Sequence, residues 1–135
     1  MIAGRMLHTM LRVRDLDVSL DFYQRICGMR LLRRMDFSEG RFTLAFVGYG
    51  EENDTTVLEL THNWDQRAYA IGTAYGHIAI GVADIFAATQ DAAAAGAKVT
   101  RAAGPLQGDR NEIIAFIEDP DGYKVELIQH KASTA

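Results

Sequence analysis

Residues 56–64 read TVLELTHNW, a run with the alternating apolar pattern of a β-strand that nevertheless carries a carboxylate at Glu59. Side chains along a strand alternate between its two faces, so Glu59 shares a face with Val57. Leu58 and Leu60 then occupy the opposite face, which we expect to pack into the core. The carboxylate is therefore predicted to point away from the core and to act as a ligand.

The same pattern returns near the C-terminus, where residues 123–128 read YKVELI and place Glu126 opposite its apolar neighbours. Upstream of each glutamate strand, another strand pattern opens with a histidine, at His8 and at His77. Two imidazoles and two carboxylates suit a divalent first-row metal ion with water completing an octahedron. The matched positions predict one metal centre built from a duplicated unit.

Positions compared across the two halves support this duplication, because repeated units keep a nearly constant offset. Short insertions in loops account for the small differences among the offsets. The offsets in residues are 69 for His8 and His77, 69 for Asp15 and Asp84, 68 for Gly28 and Gly96, 70 for Phe46 and Phe116, and 67 for Glu59 and Glu126.

Each half is predicted to follow the order β-α-β-β-β, so the fold class is α+β with two tandem βαβββ modules. The modules cover about residues 6–61 and 77–129, and a linker at 62–76 joins them. Together they are expected to form a single domain over residues 1–135.

The helices of the two modules have matching start and stop signals. Asp15 and Asp84 are expected as N-caps, and Gly28 and Gly96 as the residues that end the helices. The predicted strands cover about residues 6–13, 29–36, 41–47, 56–61, 77–82, 98–102, 112–117 and 123–129.

Composition argues against several classes of function. Acidic residues outnumber basic ones, 18 against 14, and the net charge of −4 argues against nucleic acid as a partner. No apolar run approaches the roughly 18 residues of a membrane span, and the N-terminus lacks the layout of a signal peptide. The one cysteine, Cys27, suits a reducing compartment. We therefore expect a cytoplasmic protein without membrane contact.

Six segments carry a resemblance to a known family: 8–13 (HTMLRV), 19–23 (SLDFY), 44–50 (LAFVGYG), 59–64 (ELTHNW), 76–79 (GHIA) and 119–127 (DPDGYKVEL). They resemble glyoxalase I, the lactoylglutathione lyase family of the vicinal oxygen chelate superfamily. The resemblance covers nearly the whole chain and implies the fold of paired βαβββ modules.

The resemblance implies metal ligands at His8, Glu59, His77 and Glu126, the same four positions selected above. The compact length is similar to that of the bacterial nickel- or cobalt-activated group, so one Ni2+ per site is expected, with Co2+ or Zn2+ as alternatives. The resemblance also implies a homodimer whose sites are shared between chains.

The implied reaction converts the hemithioacetal of methylglyoxal and glutathione, through an enediolate, into S-D-lactoylglutathione. By resemblance Glu126 is the principal base, and Glu59 serves the opposite face or the other enantiomer. Arg12, Asn63 and Arg101 are the implied glutathione contacts. A position that is often arginine in the family is Thr73 here, and another thiol in place of glutathione stays open.

Other members of the superfamily offer rival functions. Extradiol dioxygenases resemble the chain but use two histidines and one glutamate around iron, and fosfomycin-modifying transferases use a similar three-ligand set. Methylmalonyl-CoA epimerases are a further enzyme alternative. A non-enzyme alternative is drug sequestration, as in bleomycin-resistance proteins, which lack a complete metal set. The second glutamate favours the isomerase.

Overall fold

The computed structural model describes residues 1–130, and these divide into two compact units. The first unit comprises Met1–Ala70, and the second begins at Ile71. The division falls inside the linker predicted at residues 62–76. No helix among residues 1–130 is long and apolar enough to cross a membrane.

The first unit is a four-stranded sheet with one helical segment. Its elements are β1 (His8–Arg12), α1 (Leu16–Asp21, followed by a π-helical turn at Phe22–Ile26), β2 (Arg30–Phe37), β3 (Phe42–Gly48) and β4 (Val57–Asn63). The strand order is β1-β4-β3-β2, with β1 parallel to β4 and the other neighbours antiparallel.

The second unit repeats this arrangement. Its elements are β5 (Ile78–Val82), α2 (Ile85–Ala94), β6 (Lys98–Leu106), β7 (Asp109–Glu118) and β8 (Lys124–Gln129). The strand order is β5-β8-β7-β6, and again only the first pair is parallel. The predicted α+β fold of two βαβββ modules is confirmed.

The capping signals act as predicted. Asp15 accepts a hydrogen bond from the Val18 amide, and Asp84 accepts one from the Ala87 amide. Gly28 has φ of 73° and Gly96 has φ of 100°, which is the left-handed conformation that glycine adopts readily.

The helical segments differ by one residue, and the π-helical turn accounts for the difference. Asp15 and Gly28 are one residue further apart than Asp84 and Gly96, which is why the offset falls from 69 to 68. A π-helical turn absorbs one inserted residue without ending the helix. The π-helical turn at Phe22–Ile26 therefore accommodates the one additional residue in the helical segment of the first unit.

The hairpin between β6 and β7 is longer than predicted, and the bounds of 98–102 and 112–117 were wrong. Gly104 and Pro105 interrupt the period-two pattern, but the strand continues through them with shifts of register. The guanidinium of Arg101 donates hydrogen bonds to the carbonyl oxygens of Gly104, Pro105 and Ile114. These bonds satisfy backbone acceptors where the regular ladder is broken.

The core lies on the face that the periodicity assigned to it. Leu60 is fully buried and Leu58 is 8% exposed, as expected from their alternation with Glu59. Further buried core residues include Leu11, Leu20 and Tyr23 in the first unit and Ile80, Ile85, Val125 and Leu127 in the second. Packing on this face leaves the opposite face available for the site.

The turn before β8 rests on a buried carboxylate, and its loss should destabilise the fold. Asp119 is 5% exposed, and its Oδ1 accepts bonds from the amides of Asp121 and Tyr123, both at 2.9 Å. We expect Asp119→Ala to lower the free energy of unfolding by about 1.5–3 kcal/mol, measured by urea denaturation. Asp109→Ala removes a similar bond to the Asn111 amide in an exposed turn and should cost less than about 1 kcal/mol. Equal losses in both variants would contradict a special role for the buried turn.

Candidate active site

The first predicted ligand pair forms across two parallel strands. His8 opens β1, and the register pairs Met10 with Glu59 on β4. This register brings Nε2 of His8 to 2.9 Å from Oε2 of Glu59. The Glu59 side chain is 14% exposed and the His8 side chain 39%, so the imidazole lies nearer to solvent.

The second pair repeats this geometry. His77 directly precedes β5, and the register pairs Ala79 with Glu126 on β8. Nε2 of His77 lies 3.3 Å from Oε1 of Glu126, and the carboxylate is again the less exposed partner, at 13%. Each histidine therefore lies within hydrogen-bonding distance of the glutamate of its own unit.

A phenylalanine lies beside each pair, although the sequence indicated these two residues only through the repeat offset. Phe46 is the cross-strand neighbour of Glu59, and Phe116 that of Glu126. The ring centroids of His8 and Phe46 lie 5.4 Å apart at 79°. The His77 and Phe116 centroids lie 5.4 Å apart at 75°. These edge-to-face contacts hold each imidazole in orientation.

The donor set of each pair fits a divalent ion. Neighbouring ligand atoms bound at about 2.1 Å and at right angles lie roughly 3 Å apart, which matches both measured separations. The same separations also fit a hydrogen bond between imidazole and carboxylate. Each pair offers two ligands, and no cluster of three or more His, Cys, Asp or Glu ligands occurs within residues 1–130.

Arg12 and Asn63 lie in the unit that holds His8 and Glu59. Arg12 is the exposed last residue of β1, and Asn63 ends the neighbouring β4. Nδ2 of Asn63 donates to the hydroxyl of Tyr69 at 3.0 Å, which orients the amide. Both residues share the strand face of their histidine or glutamate because they follow it by four positions.

Arg101 lies beside the other histidine, although its guanidinium is engaged by the backbone. Nη1 donates to the Ile114 carbonyl at 2.9 Å, and Nη2 to the Pro105 carbonyl at 2.8 Å. Carbonyl acceptors leave its charge unneutralised. An open cavity of about 430 Å³ is lined by Arg101 together with Tyr75, Gly76, His77, Thr100, Phe116, Glu118 and Lys124.

Tyr75 lines this cavity, and its phenol is neutral. Its hydroxyl donates to the Lys124 carbonyl at 3.0 Å. Burial raises the pKa of Tyr75 to about 12. The phenol therefore keeps its proton at neutral pH.

Two residues beside the first pair, Arg33 and Glu52, were not predicted from the sequence. Arg33 on β2 makes a bidentate ion pair with Glu52, and its guanidinium carbon lies 4.0 Å above the Phe46 ring centroid. The hydrogen bonds of this pair hold the pKa of Arg33 above its usual range and that of Glu52 below it. A signal existed in the sequence, because Arg33 and Arg101 keep the repeat offset at 68 residues.

Comparison with protein-family models matches residues 5–127 to the glyoxalase/bleomycin resistance protein/dioxygenase superfamily. A lactoylglutathione lyase of Neisseria meningitidis serogroup B is 60% identical over 128 residues, covering 95% of this chain and 92% of the relative. The lactoylglutathione lyase of Escherichia coli O157:H7 is 53% identical over 127 residues, covering 94% and 93%.

Solved structures of glyoxalase I are also similar to the chain. Glyoxalase I from Zea mays matches with a TM-score of 0.91 and 43% identity, covering 95% of this chain. The chain spans only 45% of that plant protein. A trypanothione-dependent glyoxalase I from Leishmania major matches with a TM-score of 0.83 and 44% identity, covering 93% of this chain and 86% of that one.

Proposed function

Because the chain belongs to the glyoxalase/bleomycin resistance protein/dioxygenase superfamily, we propose that it is a lactoylglutathione lyase, the name its bacterial relatives carry. Its substrate is the hemithioacetal of methylglyoxal and glutathione, and its product is S-D-lactoylglutathione. The observation that carries this proposal is the repeated His–Glu pair, at His8 with Glu59 and at His77 with Glu126. A second glutamate distinguishes this set from the three-ligand sets of the rival enzymes.

The four residues of the two pairs would hold one divalent metal ion per site. Imidazole and carboxylate donors without cysteine suit Ni2+, with Co2+ or Zn2+ as alternatives. When bound, the ion supplies a Lewis acid that stabilises negative charge developing on the two substrate oxygens.

The carboxylates of the pairs move the proton. Isomerisation shifts a hydrogen between adjacent carbons, so one group must take a proton from carbon and return it to the neighbouring carbon. Glu126 acts as this base at its carboxylate oxygens, and Glu59 serves the opposite face of the substrate. Both side chains are mostly shielded from water, which limits exchange of the transferred proton with solvent.

The glutathione part of the substrate is bound by cationic and amide groups. Glutathione carries two carboxylates, which Arg12, Asn63 and Arg101 can bind through charge-assisted hydrogen bonds. The carbonyl-bound guanidinium of Arg101 supports this role, because it is held in place while its charge stays available. A glutathione-dependent enzyme with a single cysteine also suits the reducing cytoplasm.

The working enzyme is a homodimer with sites shared between chains. Each unit supplies one His–Glu pair, so a four-ligand site takes two units. By the resemblance to dimeric glyoxalase I, these units belong to different protomers, with His8 and Glu59 from one and His77 and Glu126 from the other. Two-fold symmetry then yields two equivalent sites. The connection between β4 and β5 can span well over about 30 Å when extended, which permits the exchange of modules.

The direct test of the function is isomerase activity of the purified protein with methylglyoxal and glutathione. Metal-free protein should be inactive and regain turnover on titration with nickel, cobalt or zinc. The ion that restores the highest kcat identifies the preferred metal. Failure of all three to support product formation would reject the proposal.

Substitution of the ligands separates metal binding from proton transfer. His8→Ala and His77→Ala should each lower the metal content of dialysed protein, whereas the exposed His130→Ala should leave it unchanged. Glu126→Gln should lower kcat by about 10²- to 10⁴-fold, because an amide cannot accept the proton. Glu39→Gln, which alters an exposed carboxylate in the turn between β2 and β3, serves as the control. Near-normal kcat in Glu126→Gln would remove Glu126 as the base.

Arg12→Ala should affect binding more than proton transfer. Loss of one charged hydrogen bond to a remote carboxylate should raise KM by about 10- to 100-fold with a smaller change in kcat. Steady-state kinetics measure the split. Arg25→Ala, which breaks an exposed pair with Asp21 on the α1 segment, is the control. An unchanged KM in Arg12→Ala would mean that this side chain does not contact the substrate.

Shared sites can be tested by mixing two inactive variants under conditions that allow subunit exchange. A heterodimer of His8→Ala and Glu126→Ala chains places both lesions in one site and leaves the other intact. Random exchange should therefore restore about a quarter of the wild-type activity. His8→Ala mixed with Glu59→Ala damages both sites and should restore none. No recovery in the first mixture despite verified exchange, or an active monomer by sedimentation, would reject shared sites.

A further inference from the structure

An arginine recurs at the same position in both modules, but its guanidinium has different contacts in each. Arg33 is the register partner of Phe46 in the β2–β3 hairpin, and Arg101 is the register partner of Phe116 in the β6–β7 hairpin. Each phenylalanine contacts the histidine of its own pair. The two arginines therefore stand at equivalent positions beside equivalent parts of the site.

In the first unit the arginine lies on the ring. The Arg33 guanidinium carbon is 4.0 Å from the Phe46 centroid, and Nη1 lies 3.6 Å from the sulfur of Met35. Glu52 holds it there, with Nε to Oε2 at 2.7 Å and Nη2 to Oε1 at 2.9 Å. A bidentate pair combined with a cation–π contact fixes the orientation of the guanidinium. Phe46 is consequently only 3% exposed.

In the second unit the arginine is drawn away from the ring. The guanidinium of Arg101 is bound by the carbonyls of Ile114 and Pro105, and no guanidinium within residues 1–130 covers Phe116 in the way that Arg33 covers Phe46. Phe116 is partly exposed and lines the open cavity beside His77. The equivalent space beside His8 is covered by a side chain.

An insertion in the sequence creates this difference. Phe46 and Glu59 are separated by 13 positions, whereas Phe116 and Glu126 are separated by 10. The additional residues lie in the turn between β3 and β4, which carries Glu52. Arg5 anchors that turn through bonds from Nη2 to the carbonyls of Glu52, at 2.6 Å, and Asn53, at 3.0 Å. In the shorter turn of the second unit, Asp119 accepts hydrogen bonds from the amides of its own turn, while Arg101 is bound by carbonyl oxygens.

We propose that the Arg33–Glu52 pair is a lid over the apolar surface of Phe46 and Met35, and that it restricts the aldehyde-derived group of the substrate to a small one. This inference rests on the proposed function, which places the reacting carbons and their oxygens beside His8. A group attached to a reacting carbon is then within reach of the ring that contacts His8. With the lid in place a methyl group is accommodated, and a larger apolar group meets the guanidinium.

Removal of the lid should exchange a charged surface for an apolar pocket. Arg33→Ala uncovers the face of Phe46 and the sulfur of Met35, both of which favour contact with an aromatic ring. The kcat/KM for the hemithioacetal of phenylglyoxal should therefore rise relative to the kcat/KM for that of methylglyoxal. Glu52→Ala should shift selectivity in the same direction by a smaller amount, because Arg33 remains but is no longer held.

The experiment compares kcat/KM for the glutathione hemithioacetals of phenylglyoxal and methylglyoxal in the metal-loaded enzyme. In Arg33→Ala we expect the phenyl-to-methyl ratio to rise about tenfold relative to the wild type. The ratio is insensitive to partial unfolding, since inactive protein lowers both values equally. Arg34→Ala is the matched control, because Arg34 is the neighbouring residue and does not pair with Phe46. Its Nη1 lies 2.9 Å from Oδ1 of Asp17.

Three outcomes would count against the lid. An unchanged ratio in both Arg33→Ala and Glu52→Ala overturns it, and so does an equal rise in Arg34→Ala. A wild-type protein that is inactive on both hemithioacetals overturns the proposed function and the lid with it. Wild-type activity with an unaltered ratio in the variants leaves the function intact and rejects the lid alone.

Discussion

The parallel pairing of the first and last strand in each module is the constraint on which the site depends. It sets Glu59 against Met10 and Glu126 against Ala79, two residues beyond each histidine. A change of register by one residue would turn each glutamate to the opposite face of its sheet and bury it among leucines. The apolar faces of β4 and β8 therefore fix the positions of the carboxylates through their own packing.

Each carboxylate is placed where burial is costly unless a partner offsets it. Glu59 and Glu126 are 14% and 13% exposed, and each has an imidazole nitrogen within 3.3 Å. Partnered groups of this kind carry a smaller desolvation penalty than isolated charges. The phenylalanine beside each histidine contacts the imidazole edge to face, and this contact holds the ring in orientation beside its glutamate.

Duplication supplied two similar half-sites, and small insertions made them unequal. A one-residue insertion in the helix of the first module is absorbed by a π-helical turn away from the ligand pair. The longer β3–β4 turn has greater consequences, because it brings Glu52 to Arg33 and covers Phe46. The bulged β6–β7 hairpin has the opposite effect, since its carbonyls bind Arg101, while Phe116 stays accessible.

The sequence by itself determined the module order, the helix limits and the strand positions of the two proposed His–Glu pairs. Alternation in residues 56–64 and the caps at Asp15 and Asp84 are local signals, and the offsets between the halves are a property of the chain alone. Local periodicity is enough for these features because a strand or helix face is defined by its own residues.

Only the tertiary structure decided which side chains surround the two His–Glu pairs. Arg33 and Glu52 are 19 residues apart, and their meeting depends on the length of a turn and on the register of β2 with β3. The roles of Phe46 and Phe116 likewise depend on cross-strand pairing with the glutamates. The course of β6 through Pro105 depends on the carbonyl bonds of Arg101. These contacts arise between segments distant in the chain, so no pattern within one segment encodes them.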